Sequence, residues 1–329
     1  MQLDQPNRRA FITLLGGAVA ARPFMARAQA SMPVIGFLCS ALPEAYASRV
    51  TAFRQGLNEA GFSEGRNVVI EYRWAEGKYD RLSAMAADLV RRPVNVIAAI
   101  TTPAALTAKA ATTDIPIIFE VGTDPVDLGL VASLNRPGGN LTGVSLLNVE
   151  LEPKRLELLH ELVPTGSMAL LVNPSNRNAE VISQELQAAA RSLGVQMHVL
   201  RANSERDFDS VFATIAQLRV GALVIGSDPF YNARSEQLAA LALQHALPAI
   251  YQYREFAAAG GLMSYGVNSA DLFRQVGAYV GRILAGAKPA DLPVVQSAKV
   301  ELIINRKTAN ALGLAIPLAL LGRSDELIE

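Results

Sequence analysis

The sequence predicts an α/β fold built from two successive strand-and-helix cycles, each carrying a parallel sheet covered by helices on both sides. Three observations predict it. Short apolar runs alternate with amphipathic runs along nearly the whole chain. The apolar runs are close to continuous, as in strands buried on both faces. The same plan occurs twice: each cycle opens with a buried strand ending in a polar turn, and a later strand ends in Asp-Pro, at Asp124-Pro125 and again at Asp228-Pro229. Strand-helix alternation of this kind gives parallel sheets.

In the first cycle, residues 33–39 (PVIGFLC) form a short apolar run bounded by Pro and Ser, and residues 67–74 (NVVIEYRW) alternate. Residues 94–100 (VNVIAAI) and 116–121 (PIIFEV) are nearly continuous apolar runs, and 141–145 make a weaker fifth strand. Helical patterns occupy 44–60, 79–91 and 103–111; Tyr46, Val50, Phe53 and Leu57 recur at helical spacing. A charged amphipathic helix at 154–162 leads into the second cycle. Its strands are 168–173, 195–201, 222–226, 249–251 and 262–265, with helices at 178–192, 206–218 and 235–246. The tail from Pro289 holds a Pro-rich turn, a strand at 299–304 and a helix at 306–312.

Ahead of the first cycle stands a different pattern. Arg8 and Arg9 precede an uncharged apolar run over 10–21, followed by Ala26-Arg27-Ala28. A charged start, an apolar middle and a small-residue cleavage site are the layout of a secretory signal. The paired arginines with Phe11 two residues on point to twin-arginine export. The expectation is a protein trimmed near Ala28 and working outside the cytoplasm. The alternative, a membrane anchor, meets an apolar run about half the length a bilayer requires.

Of the 329 residues, 1–28 are assigned to the signal, leaving a chain of two-domain size. Half of all residues are apolar, and thirty basic residues balance thirty acidic ones. Such a balance favours neither nucleic acid nor an anionic membrane as partner. Cys39 is the sole cysteine, so no internal disulfide forms, and its place in a strand reads as a small buried apolar residue.

Catalytic signatures are absent. There is no G-x-G-x-x-G, the fingerprint of a dinucleotide site. Residues 281–288 (GRILAGAK) approach a phosphate loop, but Ala287 separates Gly286 from Lys288, and the stretch reads as a glycine closing a helix. Gly143-Val144-Ser145 lacks the second glycine of a nucleophile elbow. His160, His198 and His245 share no metal-ligand spacing with one another or with Cys39. His160 is expected to face solvent. The chain therefore reads as a binding protein rather than an enzyme, with no cofactor and no metal.

What remains is a set of polar residues at strand carboxyl ends, the edge where open parallel sheets form their ligand crevice. They are Ser40, Thr101, Thr102, Thr123, Asp124, Asn173 and Asp228. Three of these groups stand just before Pro103, Pro125 and Pro229, residues suited to a first helical turn. Their plain role is helix capping. The functional role adds a ligand: helix starts suit a carboxylate, the threonine hydroxyls add hydrogen bonds, and Asp124 or Asp228 suits an ammonium group. Tyr265, within a glycine-flanked run at 260–266 (GGLMSYG), is a further candidate for the cleft.

Several of these stretches carry a family resemblance. Residues 124–126 (DPV), 129–134 (GLVASL), 136–140 (RPGGN) and Thr142-Gly143 resemble the ABC transporter substrate-binding family, as do 156–159 (LELL), 260–266, 282–289 (RILAGAKP), 311–314 (ALGL) and Ile316-Pro317. Residues 323–326 (RSDE) match it too, with Ser324 in place of the family's usual alanine. The family's better-known members resemble tryptophan- and phenylalanine-binding proteins. The resemblance implies a type I periplasmic binding protein: two Rossmann-like lobes joined by a multi-stranded hinge, here 32–146 with 267–297 and 147–266 with 298–329. It implies a monomer that closes on a small organic solute, an amino acid or aromatic carboxylate, and delivers it to an ABC permease in the inner membrane. An exported enzyme on the same two-lobe plan and a ligand sensor for a membrane partner are the alternatives.

Overall fold

The nearly continuous apolar runs become the inner strands of two sheets. The computed structural model describes residues 32–296 and 299–329; the export signal read at 1–28 lies outside them. In chain order the strands are β1 (Val34–Cys39), β2 (Val69–Trp74), β3 (Val96–Ile100), β4 (Ile117–Val121), β5 (Leu141–Ser145), β6 (Ser167–Val172) and β7 (Gln196–Arg201). Then follow β8 (Ala222–Ile225), β9 (Ala249–Tyr251), β10 (Met263–Val267), β11 (Val295–Gln296), β12 (Val300–Asn305) and β13 (Glu326–Ile328). Every residue of β3, β4, β5, β8 and β9 is buried. Strands with no face left to water need helices on both sides.

Those helices are α1 (Ala47–Glu59), α2 (Leu82–Arg91), α3 (Thr102–Ala111), α4 (Glu152–Leu162), α5 (Asn178–Ser192) and α6 (Arg206–Gln217). The remainder are α7 (Pro229–Asn232), α8 (Ser235–Gln244), α9 (Arg254–Ala258), α10 (Ser269–Leu284), α11 (Arg306–Ala311) and α12 (Leu318–Leu321). No described helix is long and apolar enough to cross a membrane. The sequence marks only an end near Gly286 for α10, yet this helix is the main partner of α1. Two glycines let the pair approach. A Cβ on Gly56 would stand 1.7 Å from the Arg274 carbonyl oxygen, and one on Gly277 would stand 2.0 Å from that of Phe53.

The first sheet runs β11-β5-β4-β3-β1-β2 and the second β13-β12-β10-β9-β8-β6-β7. Pairings are parallel except β10 with β12, a departure from the all-parallel sheets that the alternation predicts. The chain's path explains it. β10 ends at Val267 and leaves for α10 and β11 on the first sheet; β12 returns beside it at Val300, which pairs with Val267. A strand that re-enters where its neighbour left must run the opposite way. The chain also passes from the first sheet to the second after β5, whereupon α4 packs against α5, β8 and β9. Residues 33–329 pack as one compact unit.

Candidate functional site

Each sheet has one place where strand order reverses: between β1 and β3 in the first, and between β6 and β8 in the second. Loops leaving such a point diverge to opposite faces and open a crevice. Ser40 and Thr101 follow β1 and β3, while Asn173 and Ser227-Asp228 follow β6 and β8. A narrow cavity lies between these strand ends. From the first sheet it is lined by Tyr46, Thr101, Thr102, Pro103, Glu120, Gly122 and Leu146; from the second by Asn176, Asn178, Ser227, Asp228, Pro229, Asn232, Gln252 and Tyr253. Asn148 and Val149, on the crossing segment after β5, complete it.

On the first-sheet side Thr101 is held in an unusual backbone state, with φ of 88°. A β-branched residue there is strained. Its partners hold it: its N–H donates to the Glu120 carbonyl at 3.0 Å and to Glu120 Oε2 at 3.1 Å, and its hydroxyl bonds that of Ser40 at 2.8 Å. The Thr102 hydroxyl accepts the Gly122 N–H at 3.3 Å. Burial pushes the Glu120 carboxyl up to about 7, against the nearby Arg49 guanidinium and the Thr101 N–H, which pull it down.

Asp228 anchors the other side. Its Oδ1 accepts the Phe230 N–H at 2.7 Å, capping α7, and the Asn173 amide at 3.1 Å; its Oδ2 accepts the Asn176 amide at 2.6 Å. The Tyr79 hydroxyl donates to it from just ahead of α2, 3.1 Å from each oxygen. Burial raises the Asp228 carboxyl, and these hydrogen bonds oppose the rise.

Tyr79 belongs to the first-sheet half and Asp228 to the second, so this contact bridges the cleft. A second bridge lies at the rim. The Arg49 guanidinium, on α1, sits 4.5 Å from the Tyr46 ring centre and 4.4 Å from that of Tyr253. Its Nη2 pairs with Glu255 Oε1 of α9 at 3.1 Å. A wider groove opens along the same rim and shares Asn232 and Tyr253 with the cavity. Behind the site, fully buried Arg155 pairs with Glu152 at 3.0 Å. It also donates to the carbonyls of Asn148 and Tyr265 and to the Ser227 hydroxyl, at 3.0, 2.6 and 3.0 Å. One side chain thereby ties the crossing segment after β5 and strand β10 to the cavity wall.

Of the residues singled out from sequence, Thr101, Thr102 and Asp228 line the cavity. Ser40 and Asn173 stand behind it, bonded to Thr101 and Asp228. Thr123 and Asp124 lie outside the lining: the Thr123 hydroxyl and the Asp124 N–H both donate to Glu150, and Asp124 Oδ1 caps the Val126 N–H at 2.7 Å. Tyr265 is half-buried on β10, against the second-sheet core. His160 is half-buried rather than solvent-facing. Cys39 is fully buried, which pushes its thiol up. No group of acidic, histidine or cysteine side chains among the described residues has a metal-holding arrangement.

Sequence reasoning misses Glu120, Arg49, Tyr79, Asn148, Gln252 and Tyr253. Glu120 carried a signal: an ionisable residue inside the apolar run 116–121 must be paired or face a cavity. The contacts of Tyr79 and Arg49 depend on how two distant segments meet, which no local pattern encodes.

The chain is similar in sequence and fold to proteins already described. A tyrosine-binding protein of Clostridioides difficile is 28% identical over 262 residues, spanning 79% of this chain and 75% of that one. A solved conserved domain protein from Vibrio cholerae superimposes with a TM-score of 0.83 at 28% identity, covering 90% of this chain and 99% of its own. An ABC domain from Streptococcus pneumoniae, solved in complex with L-Trp, gives 0.79 at 27% identity over 89% of this chain and the whole of that one. The family model for ABC transporter substrate binding proteins matches residues 43–328, and the chain belongs to that family.

Proposed function

We propose that this protein is the solute-capturing component of an ABC importer, and that its solute is an amino acid such as tryptophan or tyrosine. The observation that carries the reading is the cavity: its walls come from the strand ends of two different sheets, and Tyr79 and Arg49 bridge it. A site of this kind is made by closing one half upon the other. The named ligands of the tyrosine-binding relative and of the L-Trp complex support the solute class. Thr101 and Thr102, at the start of α3, suit a carboxylate, and tyrosines at the cavity edge suit an aromatic side chain.

In this reading the lobes comprise 32–146 with 267–297 and 147–266 with 298–329, and the crossings after β5, after β10 and before β12 form the hinge. Residues 1–28 direct the chain to the periplasm by the twin-arginine route and are removed near Ala28. The mature protein works as a monomer, delivers its solute to a permease in the inner membrane, and releases it unchanged.

A thermal-shift screen of the mature chain against amino acids, aromatic acids and other small carboxylates tests the solute class. A ligand at a hundred times its dissociation constant adds about 2.7 kcal/mol of stability, so tryptophan or tyrosine should raise the melting temperature by several degrees. No shift with any aromatic amino acid contradicts the class. Export is tested with Arg8→Lys and Arg9→Lys together: precursor should accumulate inside the cell, and unchanged export removes the twin-arginine route.

A further inference from the structure

Two buried carboxylates line the cavity, and they differ in what they can still accept. Asp228 is spent. Its two oxygens already take the Phe230 N–H, the Asn173 and Asn176 amides and the Tyr79 hydroxyl. A ligand cation there would have to displace the contact that bridges the cleft. Glu120 is not spent. Its Oε2 accepts the Thr101 N–H, and its Oε1 accepts no hydrogen bond among the described residues.

Two further acceptors are left over at the same cavity. Asn148 Oδ1 and Gln252 Oε1 are inaccessible and have no hydrogen-bond partner, in residues only 2% and 3% exposed. Their orientation follows from their amide nitrogens: Asn148 Nδ2 donates to the Tyr253 hydroxyl at 2.7 Å, and Gln252 Nε2 donates to Asn232 Oδ1. The oxygens are therefore the unpaired ends. Buried acceptors are rarely left without donors. A negatively chargeable oxygen and two amide oxygens, drawn from the first sheet, the crossing segment and the second half, call for a ligand that brings several N–H donors and a positive charge. A primary ammonium has three donors and no acceptor.

We infer that Glu120, with Asn148 and Gln252, recognises the ammonium group of the solute, and that Asp228 instead holds the cleft together through Tyr79. The assignment rests on the amino-acid reading given above and makes Glu120 the residue that distinguishes an amino acid from its deaminated analogue. The ammonium nitrogen binds without bond making or breaking, and its charge is balanced by the Glu120 carboxylate in the closed cavity.

Titration calorimetry of the mature protein with L-tryptophan, its deaminated acid (indole-3-propionate) and its decarboxylated amine (tryptamine) tests this. Wild type should bind L-tryptophan at least tenfold more tightly than indole-3-propionate. Glu120→Gln, which keeps an oxygen for the Thr101 N–H, should lose at least tenfold toward L-tryptophan and stay within about twofold toward indole-3-propionate, so that the discrimination collapses. The wild-type comparison needs no variant, so a Glu120→Gln protein that fails to fold leaves the test standing. Equal wild-type affinity for L-tryptophan and indole-3-propionate overturns the inference while leaving a carboxylate-binding cleft intact. Retained discrimination in Glu120→Gln overturns the assignment to Glu120 alone. No binding of any of the three overturns the aromatic amino-acid reading, and this inference with it.

Discussion

A carboxylate on a strand with no exposed residue is costly unless something offsets it, and Glu120 is offset only in part. Its carboxyl is pushed from about 4.5 up to about 7 by burial. The groups facing it are Arg49 and Tyr46 from the α1 side, Tyr253 across the cleft and Cys39 on β1. A folded-state value above the unfolded one means the native protein holds its proton more tightly. The ligand-free chain should therefore lose stability as pH rises from about 4.5 through about 7, and Glu120→Gln should lose less over that window. Denaturant midpoints for both proteins across this range check it; parallel profiles contradict it. The two aspartates first matched as possible ammonium partners part company by the same reasoning. Asp124→Ala removes the acceptor of the Val126 N–H in a turn outside the cavity, costing about 0.5–1.5 kcal/mol of stability and leaving solute affinity unchanged. Asp228→Asn should weaken both stability and solute affinity, the latter by about 1.5–3 kcal/mol, read by unfolding and calorimetry. Equal affinity losses in the two variants would contradict the division. Ser40, Thr101, Asn173 and Asp228 are legible in the sequence because parallel strands bring their carboxyl ends to one edge. Asp124 shares the same local signature, an acid before a proline, so only the fold separates it from Asp228.

At the scale of elements, the alternating strands and helices of both cycles are legible because burial on two faces leaves an apolar run with few readings. The tail is not. β12 runs antiparallel to β10 because of the route the chain takes through the first sheet, and α10 meets α1 through Gly56 and Gly277; both are facts of tertiary path rather than local pattern. Among the elements, α1 reaches α9 and the residue before it through Arg49, which contacts Tyr253 and Glu255. A planar guanidinium stacks between rings as a lysine ammonium cannot, and such contacts give about 0.5–2 kcal/mol each. Arg49→Lys should therefore weaken solute binding about tenfold, or about 1.4 kcal/mol, because the bridge exists only when the halves meet. Calorimetry reads the affinity; a variant that binds as tightly as wild type removes Arg49 from the closed state.

Over the whole molecule, two sheets with similar strand order face each other across a cavity whose walls neither sheet supplies alone. The wider groove at the rim is bordered by Arg49 and Glu255, and in the proposed reading it admits the solute when the bridges part. Buried Arg155 ties the Asn148 segment and strand β10 to the cavity wall. A solute that prefers the closed arrangement must draw the population toward it. Small-angle X-ray scattering of the mature chain, with and without a saturating ligand from the thermal-shift screen, tests that claim most directly. The radius of gyration should fall when the ligand is added, and less so in Arg49→Lys. Tight binding with an unchanged radius of gyration would contradict capture between closing halves.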